Sequence, residues 1–181
     1  MKKALFIVDL QNDFLPGGAL AVPHGDEIIE PVNKLQAHFD MVLASKDWHP
    51  ADTKHFDKWP VHCVRGTYGA EFPAGLSLSR VQRVFLKGTG ESDDGYSAFE
   101  ATNDDLKSYL KIHGVEALYV VGLATDYCVK ATAIDAAKAG FETFVIPEAV
   151  RAVDLQPGDG EKAFEAMKKA GVRIISMKEI V

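Results

Sequence analysis

The feature that most constrains this chain is a series of short apolar runs, rich in β-branched residues and spaced along its whole length. They are Ala4–Val8, Met41–Ala44, Val81–Leu86, Ala117–Val121, Thr143–Ile146 and Val172–Ser176. A strand with one wet face alternates apolar and polar side chains, whereas a strand covered on both faces reads as a continuous apolar run. Helical patterns lie between most of these runs. Asp26 is positioned to cap a helix from Glu27 toward Phe39, with Ile28, Ile29, Val32, Leu35 and Phe39 on one side. Asn103 is positioned to cap Asp104–Ile112, which Gly114 ends. An alanine-rich stretch from Asp126 to Ala139 stops at Gly140, and Gly158–Ala170 stops at Gly171. Strand–helix alternation of this kind predicts an α/β fold with a mainly parallel sheet.

The 181 residues, 47% of them hydrophobic, fit one globular domain with a sizeable core, and no repeat, low-complexity tract or linker divides them. The formal charge is -6 and no Lys/Arg cluster exceeds a pair, so the basic stripe of a nucleic-acid binder is missing. Met1-Lys2-Lys3 followed by Ala4–Val8 has the outline of a signal peptide, but the apolar run ends at Asp9. That is shorter than an export core of roughly 7–15 residues, and nothing approaches the ~20 apolar residues of a membrane span. A cytoplasmic protein is the expectation. Cys63 and Cys128 are too few for a disulfide framework, so each is either a small buried residue or a reactive thiol.

Two connections, Leu10–Gly25 and Asp47–Ser79, are long, aperiodic and rich in Pro, Gly, His and Trp. Long loops of that composition in a compact domain tend to be functional. In an open α/β sheet, ligands sit beyond the carboxyl ends of the strands. Asp9, Asp47, Lys87 and the Gly122–Cys128 segment would all emerge there. The segment from Val120 to Val129 reads as strand, tight turn and helix start. A thiol there feels the positive end of a helix, which favours thiolate, and free N–H groups of the same turn can receive an oxyanion. Burial as a small residue under the alanine-rich helix is the plainer alternative for Cys128. Asp9 by itself can be a loop cap, and Lys87 by itself can reach solvent. Together they bring acid, amine and thiol to the ends of three strands, a set able to generate and hold a thiolate nucleophile.

Asp47, His49, His55 and His62 share one loop with both tryptophans, Trp48 and Trp59. Asp-x-His on extended chain places both side chains on one face. Imidazole and carboxylate together suit Zn, Fe or Mn. Cys63 points away from His62 if the chain is extended there. The alternative is that these histidines only make local hydrogen bonds.

These segments, in this order, resemble the nicotinamidase/pyrazinamidase branch of the isochorismatase-like cysteine hydrolases. The resemblance runs nearly end to end. It is carried by Val8–Phe14 with Gly17–Leu20, Lys46–Pro50, Trp59–Thr67, Gly69–Phe72, Lys87-Gly88, Tyr96–Phe99 and Gly122–Val129. It implies a single-domain, three-layer sandwich over residues 1–181, with a six-stranded mainly parallel sheet and helices on both faces. It also implies a catalytic triad of Asp9, Lys87 and Cys128, and an oxyanion hole formed by the N–H groups of Ala124 and Cys128. A cis peptide bond between Leu123 and Ala124 belongs to the same pattern. One divalent metal, zinc foremost, with Fe or Mn as alternatives, would be held by Asp47, His49 and His62, joined by His55 in part of the family. Phe14, Leu20, Trp59, Tyr96, Leu123 and Tyr127 match the walls of an aromatic slot.

The implied activity is hydrolysis of nicotinamide, and of pyrazinamide, through a cysteine thioester, with the metal on the pyridine nitrogen and a role in NAD salvage. A homo-oligomer is common in the family. The principal rival is an amidase of the same superfamily acting on a ureido, carbamoyl or biuret-type substrate, chemistry that generally needs no metal set. An isochorismate-type hydrolase, which does not use the thiol, a non-catalytic binding module and a redox pair of Cys63 and Cys128 are more distant alternatives.

Overall fold

The structure, a computed structural model, describes residues 1–181. Six strands form one sheet: β1 (Lys3–Val8), β2 (Met41–Asp47), β3 (Val81–Lys87), β4 (Ala117–Leu123), β5 (Glu142–Arg151) and β6 (Arg173–Ile174). Their order is β3-β2-β1-β4-β5-β6, and every pairing is parallel. The chain builds outward from β1 to one side, then returns to place β4 on β1's other side. The carboxyl ends of β1 and β4 therefore diverge into a crevice at the switch point, where a sheet of this order takes ligands.

Alternation along β1 sets the layers. Ala4, Phe6 and Val8 join one apolar cluster with α2 (Leu106–Ile112), α3 (Lys130–Lys138) and α4 (Asp159–Lys169). Leu5 and Ile7 point the other way, into a cluster with Val32 and Leu35 of α1 (Ile29–Gln36) and with Cys63, Ala70 and Leu76 of the long β2–β3 connection. Both faces are thus covered, as continuous apolar runs require, and each fully buried Val, Leu, Ile, Phe or Met side chain contributes roughly 1.5–3 kcal/mol. No helix is long and apolar enough to cross a membrane.

Three helix starts differ from the sequence expectation. Asp26 does not cap α1; it lies inside a tight turn, Gly25–Ile28, entered through His24 at a φ of 58°. Pro31, lacking an N–H, is tolerated only in a first turn, and α1 proper begins at Ile29 to place it there. Asn103 does not cap α2: its side chain accepts from Leu86 N at 2.8 Å and donates to Val84 O at 3.0 Å, pairing with the free edge of β3. An amide offers both donor and acceptor for that task. The cap falls to Asp105, whose carboxylate accepts from Ser108 N at 2.7 Å. The third difference lies at Cys128.

Candidate active site

β2 and β3 end in register, Asp47 beside Lys87, so the two side chains leave the sheet together. Lys87 is wholly buried, and its ammonium lies 2.6 Å from Asp47 Oδ1, 2.7 Å from Asp9 Oδ2, 2.7 Å from the Gly95 carbonyl and 3.4 Å from Cys128 Sγ. Asp9 follows β1 at a φ of 46°, and its other oxygen accepts from Ser45 Oγ at 2.7 Å. Acid, amine and thiol, which stand far apart in sequence, meet around one nitrogen.

Burial works against the Lys87 charge, but the Asp47 and Asp9 carboxylates outweigh it and hold the ammonium well above the ordinary lysine value. Burial also tends to raise Asp47, yet Lys87, His49 and His62 bring it well below the ordinary carboxylate range. Asp9 is pushed up to about 6 by burial, against the pull of Lys87 and with a further push from Asp47. At neutral pH both carboxylates are ionised, facing one cation.

Cys128 stands in a single wide π-type turn, Thr125–Val129, and α3 begins only at Lys130. The Ala124 carbonyl accepts from Tyr127 N at 3.2 Å and Val129 N at 3.1 Å, which opens the turn. This modifies the expected helix from Asp126 and reverses the expected effect on the thiol. Burial pushes Cys128 well above the ordinary thiol value; Lys87 opposes this, and the Asp9 and Asp47 charges add to it. The resting sulfur is protonated, because loss of water outweighs any attraction from the turn's N–H groups. Upstream, Gly122 has a φ of 115°, and a Cβ there would strike the backbone of Val8. That close approach brings the Cys128 turn beside Asp9. The Leu123–Ala124 bond is cis.

The histidines converge on the opposite side of Asp47. A ring nitrogen from each of His49, His55 and His62 lies within 4.8 Å of the others. In each ring Nδ1 is engaged with an acceptor at 2.7 Å: the Gly88 carbonyl for His49, the Asp93 carboxylate for His55 and the Pro60 carbonyl for His62. A carbonyl or carboxylate only accepts, so Nδ1 carries a proton, and in the neutral ring Nε2 keeps its lone pair. The Nε2 atoms of His49 and His62 face Asp47 Oδ2 at 3.5 and 3.8 Å. The former, buried, has no hydrogen-bond partner. Lone pairs facing a carboxylate oxygen fit a cation between them. The Asp47 carboxylate also raises His49 despite burial, the same appetite for positive charge. Gly88 serves this site by its φ of 61°, and a Cβ there would strike the His49 ring.

Cys63 is not extended beside His62. Its φ is 47° and its buried Sγ turns to the Gly69 carbonyl at 3.9 Å, while burial pushes the thiol far up. Both cysteines are free.

Between the thiol and the histidines opens a slot of about 490 Å³, counting its mouth. Phe14, Leu20, Trp59, Tyr96, Leu123 and Tyr127 line it, together with Ala124, Cys128, Asp47, His55 and His62. The Trp59 and Tyr127 rings meet edge to face at 5.0 Å between centroids.

The isochorismatase domain model matches residues 3–179. The chain belongs to the isochorismatase domain family. Among curated members it is 41% identical to the nicotinamidase of Acinetobacter baylyi, over 98% of this chain and 94% of that protein. The pyrazinamidase of Pyrococcus horikoshii, solved in complex with zinc, is 41% identical with a TM-score of 0.88, covering 97% of this chain and 99% of that one. The PnC1 protein of L. infantum, solved in complex with nicotinate, is 34% identical with a TM-score of 0.92, covering 99% and 95%.

Within this isochorismatase domain, the sequence reading missed the residues that hold the named ones in place. Gln11 is fully buried; its amide donates to the carbonyls of Asp47 and Ala70, each at 2.8 Å, and accepts from Asp47 N at 2.9 Å. Asp13 accepts from Cys63 N at 2.8 Å and Ala19 N at 3.3 Å, tying the slot loop to the histidine loop. Both stand in the Val8–Phe14 segment as polar residues next to a buried strand, a signal in itself. Asp93 gave none, being one acid in an acidic loop.

Proposed function

We propose that residues 1–181 act as one isochorismatase-like amidohydrolase domain that converts nicotinamide to nicotinate and ammonia, with pyrazinamide as a second substrate and a role in NAD salvage. The observation that carries this reading is the position of Cys128 Sγ, 3.4 Å from an ammonium that also binds Asp9, in the wall of an aromatic slot. The nicotinamidase and nicotinate-bound relatives support the substrate class.

In this reading the ring of the amide enters between Phe14 and Trp59. Asp9, ionised above about 6, takes the proton of the Cys128 thiol as sulfur attacks the amide carbon. Lys87 offsets the two buried carboxylates and steadies the negative charge passing between sulfur and Asp9. The N–H groups of Ala124 and Cys128 receive the oxyanion. Asp9 returns the proton to the departing nitrogen, and ammonia leaves a thioester on Cys128. Water then adds to the acyl carbon with Asp9 as base, and the C–S bond breaks to give nicotinate and the free thiol.

Asp47, His49, His62 and His55 are the residues that would hold one divalent ion, and the zinc-bound relative makes zinc the foremost choice. When bound, such an ion offers a Lewis-acid anchor for a pyridine nitrogen. A ureido or carbamoyl substrate has no ring nitrogen to place there, so the histidine set favours the aromatic amide.

Ammonia release from nicotinamide tests this, with as-purified, chelator-treated and Cys128→Ala protein measured side by side. Release by the first alone is the expected result. Release by Cys128→Ala at the wild-type rate would exclude the thioester route, and no release by any metal-replete sample would redirect attention to ureido-type substrates.

A further inference from the structure

Asp93 belongs neither to the triad nor to the proposed ligand set, yet one of its oxygens sits where the two halves of the site join. Asp93 Oδ1 accepts from His55 Nδ1 at 2.7 Å and from the Tyr96 hydroxyl at 2.8 Å. The Tyr96 hydroxyl in turn accepts from Trp59 Nε1 at 3.0 Å. The acidic loop carrying Asp93 is also stitched by backbone to the His55 turn, with Lys54 N donating to the Glu91 carbonyl at 2.8 Å. His55 is buried, and its ring stacks on His49 with centroids 4.5 Å apart.

We propose that Asp93 is a positioning residue that makes His55 a metal ligand and, through the same oxygen, fixes the Tyr96–Trp59 wall of the slot to the metal site. The inference rests on the proposed metal site and deepens it. By holding the proton on Nδ1, the carboxylate keeps the His55 Nε2 lone pair available, the task the Gly88 and Pro60 carbonyls perform for His49 and His62. Those two partners are backbone carbonyls, supplied by no side chain. Asp93 is a side chain in a loop, so the fourth position depends on one residue. Chains with His55 but no acceptor at position 93 would then hold their ion with three protein ligands.

The test is titration of metal-free protein with Zn2+, and separately with Co2+, whose visible bands report coordination. Asp93→Ala is expected to bind zinc about 10–100-fold more weakly than wild type, the usual cost of removing a partner of a ligating histidine. Asp93→Asn keeps an oxygen that can accept both bonds while losing the charge toward His55 and toward the exposed Lys58, 3.8 Å away, so it should restore binding to within about threefold. In a His55→Ala background the Asp93→Ala change should cost nothing further. Tyr96→Phe should leave zinc affinity unchanged while raising KM for nicotinamide. Wild-type zinc affinity and an unchanged Co2+ spectrum in Asp93→Ala would overturn the proposal, as would an equal loss with and without His55. His49→Ala serves as the control: if it too binds zinc as wild type does, the metal site itself is wrong and the inference falls with it, a different failure from that of Asp93 alone.

Discussion

Asp9 is placed where its charge is costly to the fold and, in the proposed mechanism, needed by the chemistry, which makes Asp9→Asn an unusual inactivating change. Burial moves its carboxyl from 3.8 to about 6 on folding. At about 1.4 kcal/mol per pH unit, that displacement corresponds to about 3 kcal/mol. The sign follows from proton binding: between these two values the native state holds the proton and the unfolded chain has released it. Stability from this group is therefore fully present below pH 3.8 and is lost as pH rises through about 6. Asparagine imitates the protonated form at every pH. Its amide oxygen can face Lys87 while its NH2 donates to Ser45 Oγ, so the two contacts of the acid are kept. Lys87 and Asp47 remain as a balanced pair 2.6 Å apart.

The assay is urea denaturation of chelator-treated wild type and Asp9→Asn from pH 4 to pH 8, with ammonia release from nicotinamide measured alongside. The two unfolding free energies should nearly coincide at pH 4, and the variant should be ahead by about 3 kcal/mol at pH 7, a sizeable fraction of the ~5–15 kcal/mol that holds a domain together. Turnover should be abolished. A stability gap that does not widen with pH, or a variant less stable at pH 7, would refute the assignment of a strained, ionised Asp9.

Cys128→Ala should lower turnover by at least about a thousandfold while retaining zinc and nicotinamide binding by calorimetry. His49→Ala should lose bound metal, read by elemental analysis, and raise KM. Gln11→Met should cost about 3 kcal/mol or more in urea, since it strands the Asp47 N–H and two buried carbonyls at about 1–3 kcal/mol each; a loss under 1 kcal/mol would show that Gln11 is not needed to hold Asp47. In the loaded enzyme kcat/KM should fall about tenfold per pH unit below an acid limb at or under pH 6, because catalysis needs Asp9 ionised and the added cation can only lower its pKa.

The sheet was legible because a strand buried on both faces must be apolar throughout, and β1, β2 and β4 are. The helix starts were less so. At Asn103 several residues in a row can cap, and the choice between Asn103 and Asp105 depends on the free edge of β3, a contact that local sequence does not encode. The residues of the proposed triad lie at the ends of β1 and β3 and just past β4, which apolar runs mark well. Their common meeting point is a product of strand order: β1 lies between β2 and β4, and β2 brings Lys87 in beside Asp47. The state of the thiol was misjudged for a related reason. Proximity to a helix start can be read from sequence, whereas the desolvation that overrides it comes from residues remote along the chain.

Asp47 explains why the two halves of the site are found together. One oxygen meets Lys87 at 2.6 Å and the other faces the Nε2 atoms of His49 and His62. Without a second cation, Asp9 and Asp47 bring two negative charges to one buried ammonium, an arrangement in which desolvation readily exceeds Coulombic gain. While Asp9 stays ionised, a positive charge on the histidine side balances the group, and three Nδ1-protonated rings can accept one there as ligands without themselves becoming charged. Balancing Asp47 from that side leaves more of the Lys87 field for Asp9 and Cys128, 2.7 and 3.4 Å away, where the proposed reaction develops negative charge. The histidine loop and the triad are thus one electrostatic unit joined at Asp47. For that reason Asp47→Asn should damage both metal retention and turnover of metal-saturated protein, whereas His49→Ala should mainly damage the first.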